Sequence, residues 1–198
     1  MAAVTFQKAE MMTAFVVRPG QSIYPPQLTK RMGIVAPREI STLGNLDLVV
    51  SPKIALFCSA RCPGNAILTA YDQAAKWRDT GRCVISGFHS PVEKECLRIL
   101  LRGTQPVIIC PARALPRRLP NDWKTHLAAG RLLVLSAFGE KGNRTTTDLA
   151  ARRNEIVAAL ADEVFIVHAT PGGNLDKLIS ILELWKMRVR FASSTKLQ

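Results

Sequence analysis

From residue 53 onward, short apolar runs alternate with stretches whose apolar positions recur at helical spacing, the rhythm of repeated βαβ units. Ile54–Cys58 predicts a first strand, set between Ser51-Pro52 and the turn-like Arg61-Cys62-Pro63-Gly64. Asn65–Thr80 then carries apolar residues at 66, 67, 70, 71, 74 and 77, one stripe of an amphipathic helix with Asn65 as N-cap and Gly81 as its stop. The same pattern predicts strands over Arg82–Ser86, Pro106–Cys110, Leu132–Leu135, Val164–Val167 and Arg188–Phe191. Helices are predicted over Pro91–Arg102, Asn121–Ala129, Thr145–Leu160 and Leu175–Trp185, the first opened by proline and the second closed by Gly130.

Helical crossovers between strands force parallel pairing, so the expected fold is α/β: a doubly wound, mostly parallel Rossmann-like sheet of about six strands with helices on both faces. Residues 1–52 break the rhythm. Pro19-Gly20, Tyr24-Pro25-Pro26 and Pro37 predict a looped leader, with a short helix near Arg38–Gly44, packing on a core domain of residues 53–198.

A chain of 198 residues that is 47% hydrophobic can bury the core of one domain. Its 27 Lys and Arg against 15 Asp and Glu leave a net charge of +12, which favours polyanionic partners through counterion release. Cys58, Cys62, Cys83, Cys96 and Cys110 are odd in number and lie mostly in apolar runs, as reduced buried thiols would. No C-x-x-C pair occurs, and His89, His126 and His168 are scattered, which argues against a metal site. Neither a signal-peptide pattern nor an apolar run near 18 residues is present, so a cytoplasmic protein without membrane association is expected.

Doubly wound sheets bind ligands outside the carboxyl ends of their strands, where backbone N–H groups and helix N-termini receive anions. Three strand ends supply suitable residues: Ser59-Ala60-Arg61, Ser86-Gly87-Phe88 and Thr170-Pro171-Gly172-Gly173-Asn174. Glycine lets a phosphate approach the backbone, and serine donates to its oxygens. Arg152, Arg153 and Asn154 read as a cationic helix start facing the same crevice. Arg113, Arg117 and Arg118, near Lys124 and Trp123, form a secondary basic patch in a proline-rich loop, where the tryptophan could stack on a base. Glu93, close to the second strand end, is a candidate for sensing a ribose or base.

Enzyme motifs are thin. There is neither G-x-G-x-x-G after the first strand nor G-x-x-x-x-G-K-[ST], which disfavours a dehydrogenase or a P-loop ATPase. S-G-F-H-S around Ser86 lacks the glycines of a nucleophile elbow, having Val84 and Phe88 in their places. No catalytic residue and no cofactor is assigned.

Several segments in order resemble one family. Y-P-P-Q-L at Tyr24–Leu28, G-N-L-D-L-V at Gly44–Val49, I-A-L-F-C-S-A-R at Ile54–Arg61, I-S-G-F at Ile85–Phe88 and R-R-N-E-I-V-A-A-L-A-D-E-V-F-I-V-H-A at Arg152–Ala169 resemble the DprA/Smf family of DNA-processing proteins, over nearly the whole chain. Members of that family bind single-stranded DNA and load the RecA recombinase. The resemblance implies a non-catalytic, positively charged pocket for the DNA backbone at Ser59, Arg61, Ser86, Gly87, Arg153, Asn154, Gly172, Gly173 and Asn174, to which Arg152 is added by the helix-start argument. It also implies a RecA-type recombinase as partner. A homodimer through Leu175–Phe191 is expected from the apolar Ile179, Leu182 and Trp185.

The departures cluster at this pocket. Pro91-Val92-Glu93 replaces the family's G-I-D, Leu97 its histidine and Glu155 its third arginine, while Pro171-Gly172-Gly173-Asn174 replaces K-S-G and the Arg113–Pro120 loop replaces G-L-D-x-x-Y-P. A short form without a C-terminal winged helix is expected. An alternative is set by A-T-P-G-G-N-L-D-K-L, which resembles the loop of LOG-type nucleotide phosphoribohydrolases but lacks its glutamate, the carboxylate such hydrolysis needs. A nucleotide-sensing Rossmann protein without turnover is the third reading.

Overall fold

The structure, a computed structural model, describes residues 13–139 and 145–192. Among the described residues, eight strands form one sheet: β1 (Ala14–Val17), β2 (Ile40–Gly44), β3 (Ile54–Cys58), β4 (Val84–Ser86), β5 (Val107–Ile109), β6 (Leu132–Ser136), β7 (Glu163–His168) and β8 (Arg188–Phe191). Their order across the sheet is β1-β2-β6-β5-β4-β3-β7-β8. All pairs from β6 to β8 are parallel, and β1 and β2 add an antiparallel edge beside β6. The doubly wound α/β class is therefore the fold, with eight strands rather than about six.

Six described helices cover the sheet: α1 (Pro26–Met32), α2 (Gly64–Asp79), α3 (Pro91–Leu101), α4 (Asn121–Ala128), α5 (Thr147–Leu160) and α6 (Asn174–Leu184). α1, α5 and α6 pack on one face with Phe57, Ile85, Ile108 and Leu133. α2, α3 and α4 pack on the other with Leu56, Val84, Ile109 and Val134. The central strands are buried on both faces, which is why they read as unbroken apolar runs instead of alternating ones.

Residues 38–44 correct the expected short helix. Ile40–Gly44 is a strand, with Ser41 opposite Ser136 and Leu43 opposite Val134. β6 offers a ladder that these residues complete, and Ile40 and Thr42 suit a pleated surface. Gly44, at φ +114°, fixes the result: a Cβ there would lie 2.2 Å from the Leu132 carbonyl oxygen. The nearby Pro26 opens α1 instead of prolonging a loop, since proline at the first helical position loses no hydrogen bond. Residues 1–12 of the expected leader lie outside the described residues.

Two corrections concern α5 and α6. Thr146 caps α5 by accepting from Leu149 N, so Arg152, Arg153 and Asn154 occupy its second turn rather than its start, beyond the reach of the terminal dipole. Ile179 and Leu182 cover the sheet at 8% and 0% exposure and offer no outward surface. The exposed apolar residues there are Leu184 and Phe191.

Candidate nucleic-acid interface

The chain runs outward from β3 through β4 and β5 to β6, then returns to the other side of β3 as β7. Strand order thus reverses between β3 and β7, and ligands of doubly wound sheets bind at the carboxyl ends of such strands. Ser59 joins the two ends. Its N–H donates to the His168 carbonyl at 2.9 Å, and its hydroxyl oxygen accepts from Thr170 N at 3.0 Å, leaving the hydroxyl proton to donate outward. Arg61 is exposed in the same loop.

At the end of β4, Ser86 is wholly buried and accepts from Phe88 N at 3.1 Å. This places the Phe88 backbone at φ 46° and folds the loop tightly over Gly87. Gly87 leaves the space that the Arg153 guanidinium fills: a Cβ there would lie 1.2 Å from its Nη1, and the side chain would have to move. Arg153 reaches this position because it lies on the buried stripe of α5 with Ile156, Val157 and Leu160.

Arg153 is 6% exposed. Its Nη1 donates to the Cys110 carbonyl at 3.2 Å and its Nε to Asn154 Oδ1 at 2.8 Å. Nη2 has no protein partner among the described residues, and no carboxylate forms an ion pair with the guanidinium there. Burial pulls the Arg153 pKa below its ordinary value, and the negative field of Glu93 partly restores it. The group stays charged, as arginine side chains in proteins do. Nη2 is not among the buried side-chain atoms left without a partner, so it reaches the floor of the crevice, where its donors are open to water or to an anion.

Glu93, expected to sense a ribose or base, has its carboxylate taken up by backbone N–H groups. Its carboxylate accepts from Cys58 N at 2.9 Å, His89 N at 2.8 Å and Ser90 N at 3.0 Å, knitting the end of β3 to the β4–α3 loop. Ser90 and Glu93 form a capping box, a signal legible in the sequence S-P-V-E.

The other expected residues divide. Arg152 is held by Glu155 at 2.7 Å and by the Val35 carbonyl, so its charge is already engaged. Gly172, at φ +71°, donates its N–H to Asp176 at 2.8 Å. The start of α6 therefore already holds a carboxylate of its own chain. Asn174 donates to the Thr147 carbonyl at 3.2 Å, tying α6 to α5, and Gly173 is the N-cap. Arg113, Arg117 and Arg118 are exposed in their loop, which Ser136 anchors by donating to the Arg113 carbonyl at 2.7 Å. Trp123 packs against the core of that face.

No group of three metal-ligating side chains occurs among the described residues, and no described helix is long and apolar enough to cross a membrane. All five cysteines are free. Burial pushes the Cys83, Cys96 and Cys110 thiols up to about 12 and raises Cys58 and Cys62 as well, so none is an activated nucleophile.

A family model described as DNA recombination-mediator protein A matches residues 15–177. The chain belongs to that family. The fold is that of DNA processing protein A from Streptococcus pneumoniae, with a TM-score of 0.73 at 21% identity over 92% of this chain and 64% of that one. The corresponding protein from Helicobacter pylori, whose structure addresses its single-stranded DNA binding mode, gives 0.72 at 16% identity over 91% of this chain and 80% of that one. A molybdenum cofactor binding protein from Rippkaea orientalis shares the architecture at a TM-score of 0.50 and 13% identity, over 71% and 76% of the two chains. This member of the recombination-mediator family thus spans 64% of the length of the pneumococcal protein. No curated protein sequence matches it.

Proposed function

We propose that the chain binds single-stranded DNA as a recombination mediator, through phosphate contacts at the carboxyl ends of β3, β4, β5 and β7 and without chemistry of its own. The observation that carries this reading is Arg153, a buried guanidinium with free Nη2 donors held against Gly87. Family membership and the binding addressed for the Helicobacter pylori relative support the choice of ligand. Arg153 and Ser59 would hold a phosphate, with Asn154 fixing the Arg153 Nε, and Arg61 would extend the contact outward. Ser86 and Gly87 shape the cradle. Arg152, Gly172, Gly173 and Asn174 form the flank of the crevice and act through position. Arg113, Arg117 and Arg118 supply a second, exposed stretch of positive charge along the same end of the sheet.

Finer roles follow from the same reading. A RecA-type recombinase is the partner, and self-association uses α6 and β8 through Leu184 and Phe191. Residues 53–198 form the Rossmann-like unit, and the described part of the preceding segment joins it, adding β1 and β2 to the sheet edge and α1 to one face. Free thiols fit a reducing cytoplasm. The phosphoribohydrolase alternative is not favoured by the family match, and Asp176, the acid nearest to its loop, is bonded to Gly172 N.

Fluorescent oligo-dT binding to the full chain, titrated with salt, tests the proposal. Affinity should fall steeply as salt rises, and Arg61→Ala or Arg153→Ala should flatten the slope. Binding that is indifferent to salt, or intact in both variants, overturns it.

A further inference from the structure

The opposite end of the sheet carries a second basic concavity. A cavity of about 270 Å³ lies where β3, β7 and β8 begin, with Trp77 at its base and Lys76, Arg82, Glu163, Arg188 and Arg190 among its walls. Its origin is a gap in helical cover. α2 lies over β7, where Trp77 meets Phe165 edge to face with ring centroids 5.2 Å apart. On the same face, β8 presents Arg188 opposite Glu163 and Arg190 opposite Phe165. An uncovered sheet face beside a core would ordinarily need apolar cover; here it carries two arginines.

Glu163, 9% exposed, acts as a strut. It pairs with Arg190 at 3.0 Å and with Arg188 at 3.7 Å, and the Arg190 guanidinium also lies 5.9 Å from the Phe165 ring centre. One carboxylate thus orients two guanidiniums on the cavity wall. Lys76 and Arg82 face them from α2 and the turn after it, and neither side chain has a hydrogen-bond or ion-pair partner among the described residues. Four cations against one carboxylate leave the cavity with an excess of three positive charges. Such an excess in one concavity is relieved by a multiply charged anion.

We propose that this cavity is a second phosphate-binding site, separate from the crevice at the carboxyl ends and independent of the reading given to it. Its ligand is a phosphate group, carried either by a nucleic-acid backbone or by a free nucleotide. β7 separates the two sites by roughly 20 Å, since six extended residues span about 3.3 Å each, so one short anion cannot occupy both.

The test uses the full chain, the double variant Arg82→Ala/Arg188→Ala and its charge-keeping counterpart Arg82→Lys/Arg188→Lys. The alanine variant removes exposed side chains, and Arg190 stays to cover Phe165. Amide resonances of residues 76–82 and 188–190 are followed on addition of thymidine monophosphate, and oligo-dT affinity is followed against salt. A site for a free nucleotide gives shifts with the monophosphate in wild type and the lysine variant, and none in the alanine variant. A backbone site gives no such shifts, but the alanine variant lowers the oligo-dT salt slope by about 1.4, roughly 0.7 for each phosphate of the single strand that is no longer neutralised. Arg153→Met should leave either response in place, which separates failure of the cavity from failure of the crevice. Unshifted resonances together with an unchanged slope overturn the proposal.

Discussion

Buried and half-buried cations at the two ends of the parallel strands are used differently. At the amino ends, those among the described residues are taken up by backbone. Arg31 Nη1 donates to the Ala159 and Ala161 carbonyls at 2.7 and 2.6 Å, closing the end of α5. Arg131 donates to the Leu101 carbonyl at 2.6 Å and the Gln105 carbonyl at 3.3 Å, and Lys53 Nζ donates to the Val49 carbonyl at 3.0 Å. At the carboxyl ends, Arg153 makes one backbone contact and one to its neighbour, and Nη2 remains open. Burial alone does not leave an arginine available to a ligand; donors without protein acceptors do.

The largest effects should come from exchanging the two kinds of arginine for methionine. Arg131→Met leaves two carbonyls without donors, and stability should drop by about 1–3 kcal/mol with oligonucleotide affinity unchanged. Arg153→Met should fall mainly on binding: oligo-dT affinity drops at least about tenfold, while stability changes less than in Arg131→Met, because relief of a buried charge offsets the lost bonds to the Cys110 carbonyl and Asn154 Oδ1. Thermal melts beside binding isotherms check both. If Arg153→Met unfolds the chain and Arg131→Met weakens binding, the assignment of the two ends is inverted.

Gly87→Ala should come next. A Cβ at 1.2 Å from Nη1 displaces the guanidinium, the flexible end of a side chain, so the fold persists while the cradle is lost. Oligo-dT affinity should fall roughly five- to tenfold with a stability cost of about 1 kcal/mol. An alanine variant that binds like wild type would show that the Arg153 position does not matter to the ligand.

Much of the fold was legible in the sequence, and the reason is local. Central strands such as Ile54–Cys58 and Val164–Val167 are buried on both faces, so their apolar runs identify them without knowledge of their neighbours. β2 was not legible. Its residues become a strand only because β6 offers an edge, a partner about 90 residues away that periodicity cannot supply. The site was legible as a set of strand ends but not as roles. Spacing alone placed Arg152 and Arg153 together at a helix start, whereas the i, i+3, i+4, i+7 stripe of Arg153, Ile156, Val157 and Leu160 already separates them. Glu93 could have been read as a cap from its spacing to Ser90. That Gly172 N would be taken by Asp176 depends on loop geometry and left no comparable signal.

The exposed arginines of the Pro111–Pro120 loop should matter less than Arg153. Their side chains are solvated before the ligand arrives, so each phosphate contact gains mainly counterion release. Arg117→Ala/Arg118→Ala should lower the salt slope by about 1.4 and weaken binding roughly fivefold near 0.15 M salt, with little difference near 0.5 M. A loss as large as that of Arg153→Met would erase the distinction between buried and exposed cations at this end.

The smallest effect concerns the amino end and its pH dependence. Arg131 Nη2 lies 2.6 Å from His126 Nδ1, so the imidazole must be neutral to accept that bond. Burial, with the Arg131 charge second, lowers the His126 pKa below 6.5. As pH falls from 6.5 through the lowered value, the unfolded chain takes up a proton that the folded chain resists, so stability is lost in that window. Above it both states are neutral and the stability is full. His126→Gln keeps an acceptor but cannot titrate, so its melting temperature should decline less than that of wild type between pH 7 and pH 5. Oligo-dT affinity at a fixed pH should be the same in both proteins, because Arg131 donates to backbone beside β6, away from both the crevice and the cavity at β3, β7 and β8. Parallel melting curves would mean that Arg131 draws nothing from His126, and a change in affinity would place the pair in communication with the crevice.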